Sequence, residues 1–153
     1  MALLTLEDID KQEASLGFSA FGADLAWSVG CRIRAHAADR QLKIAVEISL
    51  AEHVLFHAAL PGATPDNTDW IRRKRNTVMR FRRSSLAMRL LCEAKGKSLA
   101  ERYALPDRDF AASGGGVPII LAGTGCVGAA VVSGLPDVED HALVVQALRA
   151  FRT

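Results

Sequence analysis

Seven of the chain's nineteen lysines and arginines fall between Arg72 and Arg83, and no acid interrupts them. Arg72, Arg73 and Arg75 are the members best suited to ligand chemistry, because a guanidinium can grip a carboxylate or phosphate through two parallel hydrogen bonds. Just upstream, Pro65, Asp66, Asn67, Asp69 and Trp70 bring carboxylates, an amide and an indole to what reads as a helix start. Unpaired backbone amides sit there, so capping alone accounts for Asp66 and Asp69. The alternative sets one of them beside His57 or His141 as a proton carrier or metal ligand. These carboxylates and histidines lie far apart in sequence, and a lone histidine among apolar neighbours such as Leu55 and Ala59 is more often a hydrogen-bonded core residue.

Two glycine-containing turns are further anion candidates. Gly114, Gly115 and Gly116 in "SGGG" could expose backbone amides to an anion, although no "GK[ST]" follows and the segment leads into a strand. Ser133 and Gly134 in "SGLP" end a strand just before a helix, a position that favours anions. Tight turning explains both segments without a ligand. Ser133 lacks the G-x-S-x-G setting of a hydrolase nucleophile.

Charge outside the basic run narrows the function classes. Removing those seven residues leaves 12 basic against 17 acidic ones, unlike a nucleic-acid binder, whose positive charge spreads over a footprint. No aromatics interleave the arginines as stacking platforms. Pairing with acids of the same chain or of a sister subunit is the alternative. Cys31, Cys92 and Cys126 form no C-x-x-C pair, which gives no sign of a zinc or disulfide framework, so no metal site is expected. Three unpaired thiols point to the cytoplasm. The start, "MALLTLEDIDKQE", is no signal peptide, and no apolar run approaches the ~18–20 residues of a membrane helix.

The elements that must position these residues follow from periodicity. Thr5 and Asp8 form a capping box ahead of a short amphipathic helix. Residues 22–40 read as a second helix, with Gly30 inside it as a place for close backbone approach. "KIAVEIS" alternates apolar and polar residues like a half-buried strand, and "VLFHAAL" pairs with it as a hairpin. A long helix then carries the basic run. With Trp70 as the origin, Lys74, Thr77, Val78 and Phe81 share its face at 100° per residue, with Ile71 close by, while the arginines occupy the other side. "LAMRLLCEA" reads as a continuation of that helix, and "SLAERYAL" as a short one. "VPIILA" and "CVGAAVV", joined by Gly-Thr-Gly, form a second hairpin, with Pro118 marking an edge or strand start. "PDVEDHALVVQALRAF" (136–151) reads as the last helix, with Asp137 as its cap and Asp140 near its positive end. The expectation is one α/β domain spanning residues 1–153, an antiparallel sheet covered by helices.

"TLEDIDKQE", "LFHAALPGATPDNTDWIRRKRNTVMRF", "AASGGGVPI" and "SGLPDVEDHALV" together resemble the signature of a small uncharacterised family of bacterial and fungal proteins. That family sits within the haem-degrading group typified by GlcG and HbpS. The resemblance implies a profilin-like three-layer α/β sandwich and assembly into homo-oligomers. It also admits haem as a ligand, although no residue maps onto a haem ligand and no C-x-x-C-H attachment site is present. Two functions remain open at this point. One is a binding site for a small anionic or aromatic ligand, built from the helix start at Asp66–Trp70, the glycine segment and the Ser133 turn. The other is a non-enzymatic oligomeric scaffold whose basic helix meets acidic surface on a neighbouring copy.

Overall fold

The computed structural model describes residues 3–153; the first two residues of the N-terminal apolar run lie outside that range. In chain order the elements are α1 (Leu6–Ala14), α2 (Ala23–Asp39), β1 (Ala45–Leu50), β2 (His53–Ala59), α3 (Pro65–Phe81), α4 (Ser85–Lys95), α5 (Leu99–Tyr103), β3 (Gly116–Leu121), β4 (Gly125–Ser133) and α6 (Asp137–Phe151). The expected capping box opens α1, with the Thr5 amide donating to Asp8 at 2.9 Å and the Asp8 amide to Thr5 Oγ1 at 3.1 Å.

Both hairpins form, and β1 joins β4 to make a sheet ordered β2-β1-β4-β3 with every pairing antiparallel. Side chains alternate between its faces. Val46, Ile48, Val117, Ile119, Ala130 and Val132 point to one side, where they bury against α2 and α6. Ala45, Ala129 and Val131 point to the other, against Ile71 and Val78 of α3. Helices on both faces of an antiparallel sheet give the expected three-layer α/β architecture. Pro118 lies on edge strand β3 opposite Ala129, where its missing amide leaves no ladder bond unmade.

Several sequence expectations change in the folded chain. β1 is not half-buried: it lies centrally with both faces covered, so Glu47 and Ser49 are as enclosed as Ile48. Glu47 is tolerated there because Arg75 pairs with it. His57 sits opposite Glu47 on the outer strand β2 and is exposed, since α3 covers the sheet only over β1, β4 and β3. It is therefore not a core histidine. Gly30 admits the Phe56 ring rather than another backbone; a Cβ at that position would collide with the ring.

The basic helix also ends earlier than its periodicity indicates. Arg82 turns left-handed at φ 55°, and Ser84 caps a separate α4, its Oγ accepting the Ala87 amide at 3.1 Å. At the last helix, Pro136 holds the cap position and Asp137 is the first helical residue, which frees the Asp137 carboxylate for other contacts. No described helix is long and apolar enough to cross a membrane.

Candidate functional site

Lys74 occupies the apolar stripe of α3 between Ile71 and Val78, and only 3% of its side chain reaches solvent. An ammonium in that position needs acceptors. Its Nζ donates to the Val132 carbonyl at 3.0 Å and to Asp140 Oδ2 at 3.1 Å. The second Asp140 oxygen accepts the Leu135 amide at 3.0 Å. One ion pair thus joins α3, the end of β4 and the first turn of α6. Burial pushes Lys74 down, against the pull of the Asp140 charge. Burial likewise raises Asp140 from 3.8 to about 6, with the Lys74 charge opposing the shift.

The glycine segment packs against this pair. The Gly114 amide donates to the Asp137 carboxylate at 2.9 Å, the Gly116 amide donates to Ser85 Oγ at 2.9 Å, and the Gly115 carbonyl accepts from Val132. Gly115 has φ +132°, and a Cβ there would stand 2.7 Å from Lys74 Nζ and collide with the Val132 carbonyl. The amides of Gly114 and Gly116 are therefore not free for an anion, contrary to the sequence expectation. Gly115 is required because the chain passes directly over a buried ion pair, whereas Gly114 is pressed against the Asp137 backbone and Gly116 against Val78.

Beside the pair opens a cleft of about 280 Å³, lined by Asp66, Asn67, Trp70, Ser133 and Gly134 together with Lys74 and Asp140. Asn67 closes the first turn of α3 by accepting the Thr64 amide at 2.8 Å, and its Nδ2 lies 3.5 Å from Ser133 Oγ. A second cleft of about 340 Å³ adjoins it, lined by Arg73, Arg89, Cys92, Leu99 and Phe110. Trp70 and Ser113 line both. The Arg73 guanidinium lies over the Trp70 ring at 4.2 Å from its centroid, and its Nε donates to the Asp107 carbonyl at 2.9 Å. Arg89 is balanced by Glu93 and Asp137, each at 2.7 Å; its Nε approaches Asp137 without the alignment of a hydrogen bond.

The other sequence candidates lie elsewhere. Arg72 is held by Asp69 at 3.0 Å, Asp109 at 2.9 Å and the Arg108 carbonyl at 2.6 Å, while Arg75 is held by Glu47. Arg83 pairs with Asp10 at 2.7 Å. Acids of the same chain thus take up much of the basic run. His141 is fully buried, with Nε2 2.8 Å from Gln12 Oε1 on α1 and Nδ1 enclosed without a partner among the described residues. Neither His57 nor His141 lines the two clefts, and among the described residues no three His, Cys, Asp or Glu converge as metal ligands. Lys74 and Asp140 escaped the sequence reading as site residues. The available signal was the lysine on an apolar helical stripe, which cannot be buried without an anion.

Replacing Lys74 with Met leaves the Asp140 carboxylate buried and unpaired, so stability falls by about 3–5 kcal/mol. Most of that loss returns in Lys74→Met/Asp140→Leu. Urea denaturation of the three proteins checks this, and equal losses in single and double variants would contradict it.

The pH dependence has two opposing parts. Asp140, raised to about 6, adds stability that is complete below its ordinary 3.8 and lost as pH rises through about 6. Burial lowers the adjacent His141 from 6.5 to about 4, so its contribution is complete above 6.5 and lost as pH falls through about 4. Between pH 7 and 4, Asp140→Asn is therefore expected to lose more stability on acidification than the parent, and His141→Gln less. Urea midpoints across that range read both slopes; three parallel curves would refute the assignment.

The chain matches the family model "Haem degrading protein HbpS-like" over residues 21–149. It is 48% identical to a UPF0303 protein of Serratia proteamaculans over 146 residues, covering 95% of this chain and 91% of the relative. Among solved structures, Ybr137w protein superposes with a TM-score of 0.87 at 32% identity, covering 95% of this chain and 87% of that one. A PduOC:haem complex superposes with a TM-score of 0.72 at 17% identity, covering 86% and 94%, a likeness of fold. With the family model spanning most of the three-layer sandwich, and relatives matched along nearly their whole length, the chain belongs to the HbpS-like haem-degrading protein family.

Proposed function

We propose that this protein binds a small anionic or aromatic ligand in the two-lobed cleft divided by Trp70. The observation that carries the reading is the Trp70 indole, with Arg73 stacked on it, standing between a largely apolar lobe and a polar one bordered by the buried Lys74–Asp140 pair. Apolar walls with a few convergent polar groups are what small-molecule sites share. The fold neighbour solved as a haem complex makes haem the first ligand to consider. Histidine-held haem does not fit the residues of this cleft: His141 is enclosed against Gln12, His57 is on the outer strand, and among the described residues Cys92 is the one sulfur ligand lining either lobe. Any tetrapyrrole bound here would rest on stacking and charge. We further propose that residues 1–153 form one domain in a cytoplasmic setting, which the three free thiols support.

Titration with hemin, followed through the Soret band, tests the site. The expected binding persists in His57→Ala and weakens about tenfold in Trp70→Ala, the loss of one stacking face. A Soret change indifferent to Trp70 would place hemin elsewhere and remove this reading.

A scaffold role has its own supporting observation. Trp27 of α2 is 63% exposed, packs edge-on against Phe56 at 5.7 Å, and Val54 of the outer strand β2 is 43% exposed. An exposed indole beside an unpaired strand edge is a surface that assembly would cover. The basic run is a poorer candidate, since Arg72, Arg75 and Arg83 already have partners within the chain. Trp27→Glu is expected to reduce the mass measured by light scattering, while Arg72→Ala leaves it unchanged. An unaltered mass in Trp27→Glu excludes this surface.

A further inference from the structure

We propose that the apolar lobe selects a planar aromatic molecule bearing a single carboxylate, its ring against Trp70 and Phe110 and its carboxylate on the terminal nitrogens of Arg73. This inference rests on the proposed ligand site and specifies its occupant.

The guanidinium is already oriented. Its Nε is fixed by the Asp107 carbonyl at 2.9 Å and its plane is held over the indole at 4.2 Å, so its two terminal nitrogens, which form no hydrogen bond among the described residues, need no ordering on binding. Parallel donors on one face of the fork match a carboxylate. The neighbouring cation, Arg89, is matched by Glu93 and Asp137 and offers no second anion position. A single anionic group is what the lobe can balance.

The remaining wall decides the body of the ligand. Leu99, Phe110 and Ala111 join the indole to present a mainly apolar surface. At about 340 Å³ the lobe lies near the small end of ligand sites, which span roughly 300–1,000 Å³, so by itself it suits one or two fused rings, whereas a tetrapyrrole has to span both lobes. Two acids line the same lobe: Glu93 is paired with Arg89, which leaves the exposed Asp107, unpaired among the described residues, as the charge that opposes an anion on Arg73. Cys92 lines the same lobe, whereas Cys31 on α2 does not, which supplies a reporter and an internal control.

The probes are 2-naphthoate, 2-naphthol and hexanoate, which carry ring and carboxylate, ring alone, and carboxylate alone. Binding is measured by calorimetry, and iodoacetamide labelling of Cys92 relative to Cys31 is read by peptide mass spectrometry. The expected result is 2-naphthoate binding at least tenfold more tightly than either control and slowing labelling at Cys92 alone. Arg73→Met is expected to abolish the preference for 2-naphthoate over 2-naphthol, Arg73→Lys to retain part of it, and Asp107→Asn to tighten 2-naphthoate several-fold. Equal affinity for the two naphthalenes, no binding of 2-naphthoate, or an unchanged preference in Arg73→Met each overturns the inference. The hemin result with Trp70→Ala is independent of these outcomes, so the site can stand while this occupant falls.

Discussion

A lysine and an aspartate, both nearly excluded from water, face each other at 3.1 Å where α3, β4 and α6 converge. Burying two charges is expensive, and the arrangement persists only because each has further partners: a strand carbonyl for Lys74 and a backbone amide for Asp140. Much of the local sequence follows from that pair. The chain crossing it must be glycine at position 115, because any side chain there would meet the ammonium and the backbone of β4. The Asp137 carboxylate turns back to hold the same segment through the Gly114 amide. An apolar replacement could fill the space with equal stability, so a charged pair beside an open cleft marks that cleft as a candidate for chemistry.

The cleft inherits its character from these constraints. The first turn of α3 must point Asn67 toward Ser133, and this places Trp70 one turn later between two hollows. Arg73 then lies directly over the indole, its stem ordered by Asp107. The arginines on the outward side of the helix serve the fold instead: Arg72 binds the segment around Asp109, and Arg75 neutralises the one carboxylate trapped under α3 in the centre of the sheet. A run that looks like a single cationic surface is divided residue by residue between structure and site.

How much of this was legible depended on the range of the interaction. Both hairpins, the amphipathic face of α3 and the capping box at Thr5 rest on contacts within a few residues, and periodicity exposes them. The boundary between α3 and α4 is hidden in the sequence because the apolar stripe continues across it while Arg82 alone reverses its backbone. The exposure of His57 is hidden as well, because a strand's alternation says which face a residue occupies and not whether a helix covers that face. Asp140 could be placed near a helix start, where its charge is favourable anyway, and nothing in that position hinted at a lysine 66 residues away.

The sequence by itself determined the elements, their order, the family and the segment around Trp70 as the one to watch, because local propensity and motif spacing are written along the chain. Only the tertiary structure decided which charges cancel. It gave Arg72 and Arg75 to acids of the same chain, used two amides of the glycine segment internally, enclosed His141 and left His57 on the outer strand. The physical reason is that desolvation and pairing depend on what packs above and beside a residue. Lys74 becomes part of a site only when β4 and α6 close over it.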